Sequence, residues 1–233
     1  MKLFYSTCLL FLSCSLFFSC AFAPVNNQYE KAGTLKKGNA EFSGSYTSYS
    51  ASGGGESDRL NSNIGFRAGY GISDKFDLKV RYERLMMPDG EDGEEETSGV
   101  NYFSIVPKWS LIPQKLALLV PVSHYTYKEY VFDEDDEPVK GSLSSITPQL
   151  LYTFTNLKNT TDFTLGLKAD VLFGGGGGSV ILGSTAGAGF SSNLNKWAIR
   201  PEVGAAFLGG GAFLSYGVGL QFMIQGKKNS AAD

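Results

Sequence analysis

Lys75 to Met86, KFDLKVRYERLM, alternates without interruption: Phe76, Leu78, Val80 and Tyr82 are apolar, and the intervening Asp77, Lys79, Arg81 and Glu83 are ionised. On an α-helix of about 3.6 residues per turn both sets would be scattered around the axis. On a β-strand they separate into one wholly apolar face and one wholly charged face.

The same period of two extends in both directions. Before this stretch lie Asn39 to Ala51, with Glu41 on its polar face, and Arg59 to Ile72, with Arg67 on its polar face. After it come Val100 to Ser110, Lys115 to Phe132, Gly141 to Thr155, Thr161 to Phe173, Ser179 to Phe190, Lys196 to Phe207 and Ala212 to Ile224. Ten strands are therefore expected, and no helical stripe is present. Alternation fails over Leu116 to Val122, which is apolar on both faces.

The connections fall into two classes. Ser73-Asp74, Ile112 to Gln114, Asn156 to Thr160 and Ser191 to Asn195 are short or plain turns. The intervening connections include the two most acidic stretches, Asp89 to Glu96 and Asp133 to Glu137. Short turns at one end and longer loops at the other characterise outer-membrane barrels. An even strand count puts both chain ends on the short-turn, periplasmic side.

The polar faces carry Arg67, Asp77, Lys79, Arg81, Glu83, Lys168, Asp170, Arg200 and Glu202, five cations and four anions. Such a nearly balanced set suits an enclosed lumen, where charges are tolerated when paired. The apolar faces place Phe42, Tyr70, Phe76, Trp109, Phe154, Phe163, Phe190, Trp197 and Phe222 near the short-turn strand ends. Aromatic side chains at one level are what a bilayer interface selects. The competing reading is a soluble exported barrel that binds an apolar ligand, with the aromatics inside.

Over Asn39 to Ile224 the pattern resembles the small bacterial outer-membrane β-barrel proteins, and lipoprotein-like members of that class in particular. The resemblance implies an all-β fold, a closed antiparallel up-and-down transmembrane barrel, with the outer-membrane bilayer as its partner. It also implies a structural or surface-interaction role or, alternatively, a small-solute channel. Many such barrels end on an aromatic residue. Here Gly226 to Asp233 follows the last strand as a polar tail.

The first residues read as an export signal. Lys2 precedes the uncharged apolar run Leu3 to Phe18, and small residues follow. Ala21-Phe22-Ala23 fits ordinary signal cleavage, but Pro24 would then follow the cut. Phe17-Phe18-Ser19-Cys20 resembles a lipobox, which would make Cys20 the lipidated first residue of the mature chain. The expected organisation is a signal over 1–20, a periplasmic tether over 21–38, a barrel over 39–225 and a tail over 226–233. The tether would emerge where an anchor in the inner leaflet needs it.

Other chemistry is thinly represented. The net charge of −3 and the absence of a basic patch argue against nucleic acid. Cys8, Cys14 and Cys20 all precede the barrel, so no disulfide, thiol nucleophile or zinc site is expected within it. His124, the single histidine, neighbours Ser123, but adjacent strand residues face opposite sides, so no catalytic set assembles. The acidic loops lack calcium-loop spacing. Solvated loops are the plain reading, with divalent ions bridging them to lipopolysaccharide as a further expectation. Gly174 to Gly178 is not followed by Lys-Ser/Thr, so it is no phosphate loop. No cofactor or metal is expected.

Overall fold

A computed structural model describes residues 23–53, 56–86, 99–129, 139–174, 177–208 and 211–226. Its strands are β1 (Ala40–Gly53), β2 (Glu56–Ser73), β3 (Phe76–Met86), β4 (Gly99–Ile112), β5 (Leu116–Leu119), β6 (Val122–Glu129), β7 (Val139–Ile146), β8 (Gln149–Thr155), β9 (Thr161–Gly174), β10 (Gly177–Phe190), β11 (Trp197–Leu208) and β12 (Gly211–Ile224). All strand pairings are antiparallel, and β1 pairs with β12 from Ala40↔Ile224 to Ser52↔Ala212. That last pairing closes the barrel and removes both sheet edges. Every backbone donor and acceptor can then be met between strands, as a bilayer requires.

Twelve segments make ten staves. β5 and β6 both pair with β4, and β8 and β7 both pair with β9, so each couple is one broken strand. The breaks fall at Val120-Pro121 and Thr147-Pro148. Proline has no N–H to give to the ladder. The two breaks are adjacent, and Thr147 N–H donates to Pro121 O at 2.9 Å. Segments expected as Lys115 to Phe132 and Gly141 to Thr155 are thus each interrupted once.

The pleat sorts the side chains as the alternation expects. Phe66 and Leu167 are more than 60% exposed on the outside, whereas Asp77 and Glu83 are fully buried inside. A soluble barrel has the opposite arrangement, so the competing reading of an apolar interior fails. Among the described residues no helix is long and apolar enough to cross a membrane; the strands themselves carry the apolar belt. The aromatic ring lies outward at one end: Phe42 pairs with Phe222, Phe222 with Trp197, Phe76 with Trp109 and Phe154 with Phe163. The short turns are at this end. β12 stops at Ile224, and Gly226 N–H donates to Asn39 Oδ1 at 3.0 Å beside the start of β1.

One segment departs from expectation. The sequence pattern places 21–38 as a periplasmic tether. In the described part, Ala23 to Leu35 is irregular, unpaired in the sheet, and threaded through the lumen, with all but Lys31 buried. The chain then reverses at Lys36 (φ 68°) and Gly38 (φ 81°) to enter β1. The reason is chemical. A ten-strand lumen lined by ionised groups needs partners, and a polar segment with its own backbone donors and acceptors supplies them.

Candidate functional site

The lumen and its threaded segment form the site. The segment has no strand neighbour, and many of its backbone groups are met by barrel side chains, sorted by charge. Acceptors take its N–H groups. Ala23 donates to Asn61 Oδ1 (3.0 Å), Val25 to the Tyr125 hydroxyl (3.3 Å), Asn26 to the Tyr49 hydroxyl (2.9 Å), and Ala32 to Thr153 Oγ1 (2.7 Å). Gln28 and Tyr29 both donate to the Glu202 carboxylate, at 2.7 and 2.9 Å. Tyr29 has a φ of 54°, and with this left-handed turn two successive N–H groups converge on one anion. Leu35 donates to both oxygens of Asp77 at 3.0 Å.

Cations take the carbonyls. Lys168 donates to Val25 O (2.7 Å), Arg81 to Asn27 O (2.6 Å), and Arg67 to Gln28 O (2.6 Å) and Tyr29 O (3.3 Å). Lys108 donates to Lys31 O (2.6 Å) and Gly33 O (2.9 Å). The lumen therefore treats the segment as a sheet would treat a strand, with side chains replacing the neighbouring backbone.

Ion pairs join these contacts into a network. Glu30, on the segment, accepts from Lys79 (2.5 Å), Lys108 (3.0 Å) and Arg67 (3.4 Å). Glu41 faces Lys79 (3.2 Å) and Arg67 (3.3 Å), and accepts from Gln221 Nε2 at 2.6 Å. Gln221 in turn accepts from Arg200, whose two terminal nitrogens hold Asp162 at 2.8 and 2.9 Å. This fork geometry makes the pair directional. Nearer the long-loop end, Arg81 pairs with Glu83, which also accepts from Asn63 at 2.9 Å. Lys168 pairs with Asp170 at 2.7 Å.

All nine polar-face residues singled out in the sequence lie buried in this lumen. Four ionised members were absent from that set: Glu30, Glu41, Lys108 and Asp162. Counting them, Arg67, Lys79, Arg81, Lys108, Lys168 and Arg200 give, among the described residues, six buried cations against seven buried carboxylates. Half-buried Lys31 makes the numbers equal.

Apolar packing adds to these polar contacts. Near the loop end Val25 sits among Leu85, Val100, Tyr125, Leu172 and Ile181. Near the other end Ala32 sits against Val106, Ala117, Leu119 and Leu151. The stretch that is apolar on both faces, Leu116 to Val122, thereby has its explanation: Ala117 and Leu119 face the segment. Gly219 is needed for close approach, since a Cβ there would lie 2.6 Å from that of Tyr29. A cavity of about 530 Å³ opens at the short-turn mouth beside Lys31, Lys36 and Lys75.

Ser123 is buried in the lumen and His124 is exposed outside, where its Nδ1 lies 3.0 Å from Ser144 Oγ. Among the described residues no group of metal-ligating side chains is present. Cys20 and the acidic stretches Asp89 to Glu96 and Asp133 to Glu137 lie outside the described residues.

No protein family and no curated protein matches the sequence. Among solved structures, the chain is similar to the translocator domain of the autotransporter NalP from Neisseria meningitidis. That likeness has 9% identity and a TM-score of 0.49, over 80% of this chain and 88% of that one. It is similar to the outer membrane protease OmpT from Escherichia coli, at 10% identity and a TM-score of 0.46, over 80% and 96%. It is similar also to the N-terminal β-barrel domain of Pseudomonas aeruginosa OprF, at 10% identity and a TM-score of 0.41, over 81% and 98%. These are likenesses of barrel architecture; the fold itself rests on the closed strand pairing and the inverted polarity.

Proposed function

We propose that this outer-membrane barrel serves a structural or surface-interaction role and does not act as an open pore. The observation that carries this reading is the burial of Ala23 to Leu35 across the lumen, held from both sides by hydrogen bonds to barrel side chains. Ten strands enclose a narrow space, and the segment fills it. The longer acidic loops and the external rim are then the surfaces left for partners, with lipopolysaccharide bridged by divalent ions as one such partner. Lipidation at Cys20 belongs to the same proposal and would fix the chain end in the membrane.

The second reading, a small-solute channel, draws on the cavity at the short-turn mouth, which gives a solute an entrance. It requires the segment to move. Planar bilayers separate the two. The purified barrel is expected to give no stepwise conductance at moderate voltage. Steady unit conductance from the unmodified chain would overturn the closed reading and establish the channel.

A further inference from the structure

We infer that the mature chain begins upstream of Ala23 and that its N-terminal end leaves the barrel through the mouth where the long loops lie, not on the short-turn side.

The direction of threading follows from the partners. Leu35 is held by Asp77, three residues after Asp74 of a short turn, and Thr34 Oγ1 donates to Asp74 O at 2.8 Å. Glu30 lies deeper, among Lys79, Lys108 and Arg67. Val25 has reached Tyr125 of β6 and Leu85, one residue from the end of β3. Ala23 is held by Asn61, which pairs with Tyr49 in the loop-side half of β1. The chain therefore climbs from the short-turn mouth towards the loops as it is followed back to its start.

The burial of Ala23 bears on where the signal is cut. Ala23 is fully buried, and its N–H is the donor that meets Asn61 Oδ1. Cleavage after Ala23 would remove that donor. It would also leave the charged secondary amine of Pro24 inside the lumen next to Val25 and its apolar neighbours, where burying a charge is costly. Cleavage before Cys20 leaves three residues ahead of Ala23 and keeps the contact.

Reach then decides the side. Twelve residues of β2 separate Asn61 from Ser73 at the short turn. At about 3.4 Å per residue and a tilt near 40° this is roughly 30 Å along the barrel axis. Three residues span at most about 11 Å. A chain starting at residue 20 cannot return to the short-turn leaflet, so an acyl group on Cys20 would enter the loop-side leaflet. The reach limit and that last clause rest on cleavage before Cys20; the direction of threading, which points the chain start at the loop-side mouth, does not.

The test uses the full chain with an epitope inserted between Ala21 and Phe22, compared with epitopes inserted within residues 87–98 and after Asp233. Antibody binding to intact cells is scored against permeabilised cells, with heat-modifiable gel mobility as the check of folding. The N-terminal epitope is expected to behave like the loop epitope, and the C-terminal one to require permeabilisation. An N-terminal epitope that tracks the C-terminal one overturns the inference. Should the insertion prevent folding, Phe22→Lys probed with a membrane-impermeant amine reagent, and read by peptide mass, gives the same two outcomes. The mass of the mature chain decides processing: a start upstream of Ala23 supports the inference and a start at Pro24 overturns it. Fatty-acid labelling that fails while the surface result holds would sink lipidation and leave the exit side standing.

Discussion

Glu30→Ala should destabilise the barrel by about 3–5 kcal/mol, the range for stripping one partner from a buried ion pair. Its carboxylate stands within 3.4 Å of Lys79, Lys108 and Arg67, none of them appreciably exposed. Lys108 keeps two carbonyls and Arg67 keeps two, so the heaviest loss falls on Lys79, which retains only Glu41. The midpoint of urea unfolding in lipid vesicles is the measurement. Pairing Glu30→Leu with Lys79→Met should recover much of the loss, because apolar residues of similar size often replace a buried pair at no cost. A single variant with wild-type stability would show that Glu30 is not the hub of the network.

On the opposite face the expected effect is nearly as large. Val80→Arg should cost about 2–4 kcal/mol, the range for a cation on the lipid face at the bilayer midplane. Val80 lies mid-strand in β3, pairs with Ala68 and Ile105, and is exposed. In a water-soluble barrel an arginine at such a site would change stability by no more than about 0.5 kcal/mol in either direction. Lys115, exposed beside a short turn, provides the control: Lys115→Arg should be silent. The midpoint of unfolding in vesicles, compared with that in short-chain detergent, reports the effect.

The strands were legible because β-structure writes its periodicity directly into the order of residues. Phe76 to Glu83 needs no tertiary information to show which side is apolar, and the inverted polarity then follows from where the charges are enclosed. Ten staves, the short-turn end and the aromatic ring at Phe42, Trp109, Trp197 and Phe222 are all consequences of that pattern. Pro121 and Pro148 were visible as well, but the adjacency of their breaks depends on pairing between β5 and β8, which no local signal sets.

The threaded segment was not legible, for a physical reason. An irregular chain without strand neighbours has no preferred period, and Asn26 to Glu30 reads as a solvated linker. Its partners lie far away in the chain: Glu202 meets Gln28 and Tyr29 across more than 170 positions, and Arg81 meets Asn27 across 54. Lys108 and Asp162 were recoverable by parity. Lys108 shares its face with Ser104 and Val106, and Asp162 shares its face with Thr164, Lys168 and Asp170. Glu30 was not recoverable, since its role exists only once the segment is inside.

The most direct measurement needs no mutation. Trp109 and Trp197 are the two tryptophans of the chain, and both lie on the outer face near the short-turn end, with Trp109 paired to Phe76 and Trp197 to Phe222. In vesicles made with brominated acyl chains their emission should be strongly quenched, most with bromine near the carbonyl end of the chain. Aqueous acrylamide should have little effect. Emission that ignores brominated lipid yet yields to acrylamide would mean that these faces never meet hydrocarbon, and the assignment of outside and inside would be reversed.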